Sequence, residues 1–205
     1  MTEEQKLLAG KMYDPGDALL TEQRAKAHRL CKQYSLLSEE DVEARSRIIE
    51  ELFPHRQKNF YMVGPIFFDY GTHTTFGENF YANVNLVILD DGPVILGDNV
   101  MLGPNNSLLT AIHPMLYEER NPIVREDGSM YGLEYARPIR IGDNCWLASN
   151  VTVLGGVTIG SGCVIGAGSV VTKDIPDNCF AAGNPCRVIR KITPADSVRL
   201  KKELW

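Results

Sequence analysis

Aliphatic side chains recurring every six residues, small residues directly behind them, and turn formers where the next inward side chain should fall predict a parallel β-helix. The aliphatics are Ile141, Leu147, Val153, Ile159, Ile165 and Val171. Two positions before each stands a second inward candidate: Ile139, Cys145, Val151, Val157, Cys163 and Ser169. Gly142, Ala148, Gly160, Gly166 and Thr172 follow the aliphatics, with Leu154 the exception to their small size. Every second side chain of a strand shares a face, yet the next same-facing positions are Asp143, Ser149, Gly155, Ser161, Ala167 and Lys173. The chain must turn there. A short strand and a turn every six residues close into a three-sided coil after three repeats. An α-helix would spread the same aliphatics over several directions and leave most of them in water.

The elements follow in chain order. Thr2 precedes Gln5 and Ser38 precedes Asp41 at capping-box spacing. Leu20, Ala27, Leu30, Cys31 and Tyr34, then Val42, Arg45, Ile48, Ile49 and Leu52, form amphipathic stripes. Residues 1–53 are therefore expected as two or three short helices. Pro54 stops the last, and the chain enters the prism near Val63. This segment would cap the first coil, whose strand edges are otherwise unpaired, and could also wall a substrate site. Residues 63–109 form the first coils: Phe76, Leu96 and Leu102 keep the repeat phase, and Thr74, Phe80, Leu86, Val94 and Val100 fill second positions. The step across Asp90, Asp91 and Gly92 is two residues too long and predicts an outward kink. Residues 110–137 leave the repeat as an excursion beginning TAIHP, with turn signals at Asn121-Pro122 and Asp127-Gly128. Unstructured loops beyond ~12–15 residues are usually functional or disordered. The repeat resumes over 138–180. The expected division is a helical cap at 1–58, the β-helix at 59–190 and a tail at 191–205.

The 205 residues carry 44% hydrophobic and 23% charged side chains and a net charge of −5, without a strongly acidic or basic arm. Nucleic-acid or membrane-surface binding thus has little electrostatic support. The start MTEEQKLLAG lacks the basic and apolar regions of a secretory signal, and no apolar run approaches the ~18 residues that span a bilayer. A cytoplasmic protein is expected. Five cysteines without a CxxC pair point to buried free thiols rather than disulfides or metal. One coil buries too little apolar surface to offset the ordering of its backbone. Stacked coils help one another, and flat outer walls invite packing against further copies, so a homo-oligomer is expected.

The string IGDNCWLASNVTVLGGVTIGSGCVIGAGSVVTKDIPDNCFAAGNPCRVIRKI, the upstream NFYANVNLVILDDG, the TAIHP loop and AGKMYD near the start closely resemble the maltose and galactoside O-acetyltransferases. That hexapeptide-repeat family also holds nodulation and antibiotic acetyltransferases, and the likeness covers nearly the whole chain. It implies a left-handed coil, against the usual right-handed crossover, three copies, and acetyl-CoA as co-substrate.

Moving an acetyl group from a thioester to a sugar hydroxyl requires taking a proton from an alcohol hardly ionised at neutral pH. An imidazole, with a reference pKa of about 6.5, suits that step. His113 in the excursion is the candidate base, whereas His28, His55 and His73 fall where solvated or structural roles are expected. Donors aimed at the developing thioester oxyanion would lower the barrier further. The resemblance points to Asn83 and the backbone around Ser149 for this. It places Asp91 in the acceptor pocket with Asn83, puts Asp69 where the galactoside enzyme has a substrate-touching Ser, and matches the N-terminal substrate Asp to Asp14 or, less well, Asp17. Met130 and Tyr131, late in an excursion longer than that of the galactoside enzyme, could line the same pocket.

After position 172 seven basic residues face four acidic ones, a local excess able to hold the phosphates of coenzyme A. By family position Ser149, Ala167, Thr172, Lys173, Arg187 and Arg190 would contact it; Arg199, Lys201 and Lys202 are expected in solvent. No GxxxxGK[ST] or GxGxxG string occurs, which disfavours nucleotide hydrolysis and hydride transfer. Two other functions share the fold. A zinc carbonic anhydrase needs three imidazoles around its metal, while the coils hold only His73 and His113, far apart in sequence. A non-catalytic scaffold gives no reason for His113 or the terminal basic cluster.

Overall fold

A computed structural model describes all 205 residues. Three helices come first: Glu3–Leu8 (α1), Ala18–Leu36 (α2) and Val42–Leu52 (α3). Thr2 and Gln5 complete the predicted capping box of α1. The box expected at Ser38 forms by half. Asp41 accepts the Ser38 N–H at 2.8 Å, but the Ser38 hydroxyl accepts from Glu40, and α3 starts only at Val42. Val42 therefore sits on the first turn and is 63% exposed, outside its expected stripe, whose buried members are Arg45, Ile49 and Leu52. Phe53, at the C-terminus of α3, enters the open end of the prism and packs on Phe68 and Phe76 at centroid distances of 4.6 and 5.2 Å. These helices thus plug the first coil. Arg56 bridges to Phe76 ahead of the strand Tyr61–Met62, so the chain joins the prism before Val63.

Three parallel walls follow. The first holds Tyr61–Met62, Tyr81–Ala82, Met101–Leu102, Trp146–Leu147, Val164–Ile165 and Cys179–Ala182, and is closed by an antiparallel strand, Arg187–Lys191. The second holds Ile66–Phe68, Leu86–Leu89, Ser107–Leu109, Thr152–Leu154 and Val170–Val171. The third holds Thr74–Phe76, Val94–Leu96, Ile139–Ile141 and Thr158–Ile159. Every repeat position assigned inward, upstream and downstream, is at most 3% exposed. Leu154, the exception to the small-residue rule, is 37% exposed on the outer face of its wall.

The register shows where the repeat is stretched. Tyr61 lies opposite Tyr81 and Tyr81 opposite Met101, whereas Trp146 lies opposite Val164, so the early coils take 20 residues and a later one 18. The surplus falls at one corner, between the second and third walls. Phe68 to Phe76 and Ile88 to Leu96 each take eight residues, where Val153 to Ile159 takes six. The excursion leaves from the same corner. It is a folded arm, with Ala111–Ile112 antiparallel to Tyr135–Ala136, a short helix Tyr117–Arg120, and a hairpin of Ile123–Val124 with Met130–Tyr131 turning through Asp127-Gly128. Arg137 N–H on Thr110 O, at 3.0 Å, closes its base.

The corner between the third and first walls is regular. Asn59, Asn79, Asn99 and Asn144 hold φ between 55° and 58° there, a conformation asparagine tolerates better than most residues. Their side-chain amides stack from coil to coil at 2.8, 2.9 and 3.1 Å. All five cysteines are free and buried, and no helix is long and apolar enough to cross a membrane.

Candidate active site

The stretched second corner collects the acceptor-side candidates. Asp69 follows Phe68, Asp90 and Asp91 follow Leu89 one coil on, and Thr110 to His113 follow Leu109 on the next. The extra residues do not kink into water as expected: Asp90 is 0% and Asp91 4% exposed. The Asp90 carboxylate accepts the Tyr70 N–H at 2.8 Å and the Thr74 hydroxyl at 3.0 Å. The Asp91 carboxylate accepts the Tyr13 hydroxyl at 3.1 Å. The AGKMYD segment lies over this corner, a contact 78 residues apart in sequence and thus without local signal. Asp69 meets His28 Nε2 at 3.1 Å, and the His28 ring packs on Phe67 at 4.7 Å. His28 therefore belongs to the surroundings of these carboxylates and not to solvent alone. His73 Nδ1 lies 2.8 Å from Asp90 O, a structural contact.

Burial sets the electrostatics. It pushes Asp91 up to about 6, with the Asp69 charge the next cause, and Glu134 up to about 7, with Asp91 next. Asp90 rises to about 6 through burial, against the bonds from Tyr70 and Thr74 that favour its charged form. Asp69 also moves upward through burial, opposed by His28. These acids bind more protons folded than unfolded between about pH 4 and 7, so stability must rise as pH falls through that window. His73, pushed down by burial, acts oppositely in its lower part, but several acids oppose one base. The melting temperature at pH 5.5 should exceed that at pH 7.5 by several degrees, at ~2–4 °C per kcal/mol for a chain of this size. Asp90→Asn should flatten the difference. A melting temperature that rises with pH across this range would contradict the assignment.

His113 is exposed, directly after Ala111–Ile112 and before the buried Pro114. A cavity of about 370 Å³ opens beside Pro114, bordered by Met12, Glu119 and Tyr135. Of the two N-terminal acids, Asp17 caps α2 by accepting from Leu19 and Leu20, while Asp14 reaches the excursion and holds Arg125 at 2.7 Å. Arg125 also lies over the Tyr131 ring at 4.5 Å. Met130 is 68% exposed and does not pack on the prism.

Asn83, Ser149 and Ala167 stand at a different corner, between the first and second walls, each just after a first-wall strand. Asn83 Oδ1 accepts the Val84 N–H at 2.8 Å, and its amide nitrogen makes no bond within the chain. Arg187 begins the closing strand opposite Ala182 and extends this corner. Thr172 and Lys173 are exposed at the second corner, beyond Val171. Arg190 lies further along the closing strand, paired with Asp196 at 2.6 and 2.8 Å and stacked over Phe180. Arg199, Lys201 and Lys202 are exposed. The candidate set is thus divided between the two ends of the second wall. Strands of this wall rise ~3.3 Å per residue, which sets Asn83 and Asp91 at most roughly 26 Å apart along the chain path. Two buried groups beside the carboxylates, Tyr13 and Glu134, escaped sequence reasoning. Tyr13 stood within AGKMYD without a role, and Glu134 had no signal beyond its place just before the repeat resumes. No group of three His, Cys, Asp or Glu side chains is arranged to hold a metal ion.

Comparison with known proteins gives the lineage. The maltose acetyltransferase hexapeptide capping motif matches residues 6–56, and the bacterial transferase hexapeptide of six repeats matches 138–173. The chain is 42% identical over 196 residues to the galactoside O-acetyltransferase of Escherichia coli (strain K12), covering 96% of this chain and 91% of that one. Among solved structures it is similar to a maltose O-acetyltransferase from Clostridium difficile 630, with a TM-score of 0.84, 43% identity and coverage of 94% and 98%. It is also similar to a galactoside acetyltransferase in complex with coenzyme A, with a TM-score of 0.86, 41% identity and coverage of 96% and 94%. Matched over nearly its whole length at this identity, on the same prism with the same helical cap, this chain belongs to the maltose and galactoside O-acetyltransferase family of hexapeptide-repeat acetyltransferases.

Proposed function

We propose that this acetyltransferase moves an acetyl group from acetyl-CoA to a hydroxyl of a sugar or glycoside by direct attack, with His113 as general base. The imidazole takes the hydroxyl proton as the oxygen bonds to the thioester carbon, giving a tetrahedral oxyanion. The unbonded amide nitrogen of Asn83 is free to donate to that oxyanion, the kind of contact that lowers an acyl-transfer barrier by several kcal/mol. The carbon–sulfur bond then breaks, and the imidazolium returns the proton to the departing thiolate. Asp69, at the mouth of the second corner, and Asp91 behind it would accept hydrogen bonds from the sugar, with Asp14 and Met130 contributing from the cap and the excursion. Ser149, Ala167, Thr172, Lys173, Arg187 and Arg190 would receive coenzyme A; for Arg190 this requires sharing or releasing Asp196.

One observation carries this reading. The acceptor-side and donor-side residues bound the same wall, and that wall shows an apolar outer face. Leu89, Leu109 and Leu154 stand in register along it, with Phe67 38% exposed on the first coil. A second copy packed across this face sets the second corner of one chain against the first corner of the next, so the site is completed between subunits of a homo-oligomer, with three copies by family likeness. The direct test follows free thiol release from acetyl-CoA with glucosides, maltose, galactosides and chito-oligosaccharides as acceptors. At least one sugar should raise thiol release roughly 10²-fold or more above the rate with water alone. A rate no sugar increases would refute the acceptor class.

A further inference from the structure

Tyr13 is 1% exposed, in the short segment between α1 and α2. Its backbone pairs antiparallel with Glu134, N–H to O at 2.9 Å one way and 3.2 Å the other. Its hydroxyl donates to Asp91 Oδ1 at 3.1 Å and also faces the Glu134 carboxyl, itself 8% exposed. Ala111 pairs with Ala136 and Ile112 with Tyr135, so Glu134 directly precedes the strand that pairs with the residues just before His113. Tyr13 thus joins the second coil, through Asp91, to the arm bearing His113, through Glu134. Leu7, Leu20 and Tyr70 supply its apolar surroundings, which a phenylalanine would fill equally well. Burying a hydroxyl is unfavourable unless it makes a bond, and here the bond goes to the carboxylate placed against the acceptor.

We propose that Tyr13 is a positioning residue for the acceptor: it fixes Asp91 with one oxygen turned away from the mouth, and ties that carboxylate to the base of the arm that carries His113. The N-terminal cap then holds the distance between the sugar-binding carboxylate and the base, besides plugging the first coil. The inference rests on the acceptor reading of Asp69 and Asp91.

The test compares Tyr13→Phe, Asp91→Asn and the double variant, using whichever of glucose, maltose or a β-galactoside turns over fastest. Tyr13→Phe keeps the ring and should raise the acceptor KM about tenfold, as expected for one lost hydrogen bond to a charged group, with KM for acetyl-CoA unchanged. The double variant should be no worse than Asp91→Asn by more than about twofold, since both changes break one contact. A loosened cap would instead multiply the two effects and raise KM for acetyl-CoA as well, which overturns the proposal. If Asp91→Asn raises the acceptor KM and Tyr13→Phe does not, the inference fails and the acceptor reading stands. If Asp91→Asn leaves the acceptor KM unchanged, both fail. Glu134→Gln leaves Tyr13 in place and serves as a second arm should Tyr13→Phe not fold. It should raise the acceptor KM about threefold by weakening the other end of the bridge, and an unchanged KM there counts against the proposal.

Discussion

His113→Ala lowers kcat by roughly 10²–10⁴-fold, the usual contribution of a positioned general base, while KM for acetyl-CoA stays within about twofold. Geometry motivates both halves. The imidazole is exposed on the excursion at the second corner, one coil beyond Asp91, whereas Asn83, Ser149, Ala167 and Arg187 line the first corner. Truncating the ring therefore removes a proton acceptor without touching most groups assigned to the donor. Steady-state kinetics with the best sugar acceptor, together with thiol release in water alone, separates loss of transfer from loss of binding. Unchanged turnover would remove His113 from the mechanism. A large rise in KM for acetyl-CoA would instead place the ring in the donor site.

The coils were legible because their signal is local and repeated. A residue such as Val153 or Cys163 needs only its neighbours six positions away to reveal that it points inward, and each is 0% exposed. The excess length at Asp90 and Asp91 was legible as well, but its consequence was not. Whether two extra acids face water or lie buried depends on what covers them, and the cover is Tyr13, brought there by the packing of α2 and the cap. Glu134 was invisible for the same reason: its partner is the backbone of Tyr13, beyond the reach of any window on the sequence. Capping chemistry fell between these cases. The Thr2 box formed because nothing competes for it, whereas at Ser38 the hydroxyl found the nearer Glu40 N–H. The division of the site over two corners was written in the repeat phase. Asn83 directly follows a first-wall strand and Ser149 and Ala167 stand one residue further past theirs, while Asp69, Asp91 and His113 come after second-wall strands. Phase assigns a residue to a corner, but only the three-sided closure says that those corners stand a wall apart.

That separation yields the sharpest result to expect. His113→Ala and Asn83→Ala should each be nearly inactive alone, the second because an oxyanion donor is worth about 10²–10³ in kcat. Co-expressed in equal amounts, they should recover about a quarter of wild-type activity. Each site would draw His113 from one subunit and Asn83 from its neighbour, and random assortment leaves both intact at about one contact in four whatever the number of copies in a closed ring. A site built within one chain gives no recovery, because every chain then carries one lesion. Separately purified variants, mixed without exchange of subunits, should stay inactive, which guards against a contaminating wild-type enzyme. Disrupting the outer face of the second wall gives an independent check. Leu154→Glu places a charge in the leucine row beside Leu109 without entering the core, so it should dissociate the assembly and abolish turnover while the coil itself remains folded. An oligomer that withstands Leu154→Glu would show that the copies meet on another wall. Recovery of activity in the mixture without any such dissociation would then place the shared site there, and the apolar row would need another explanation.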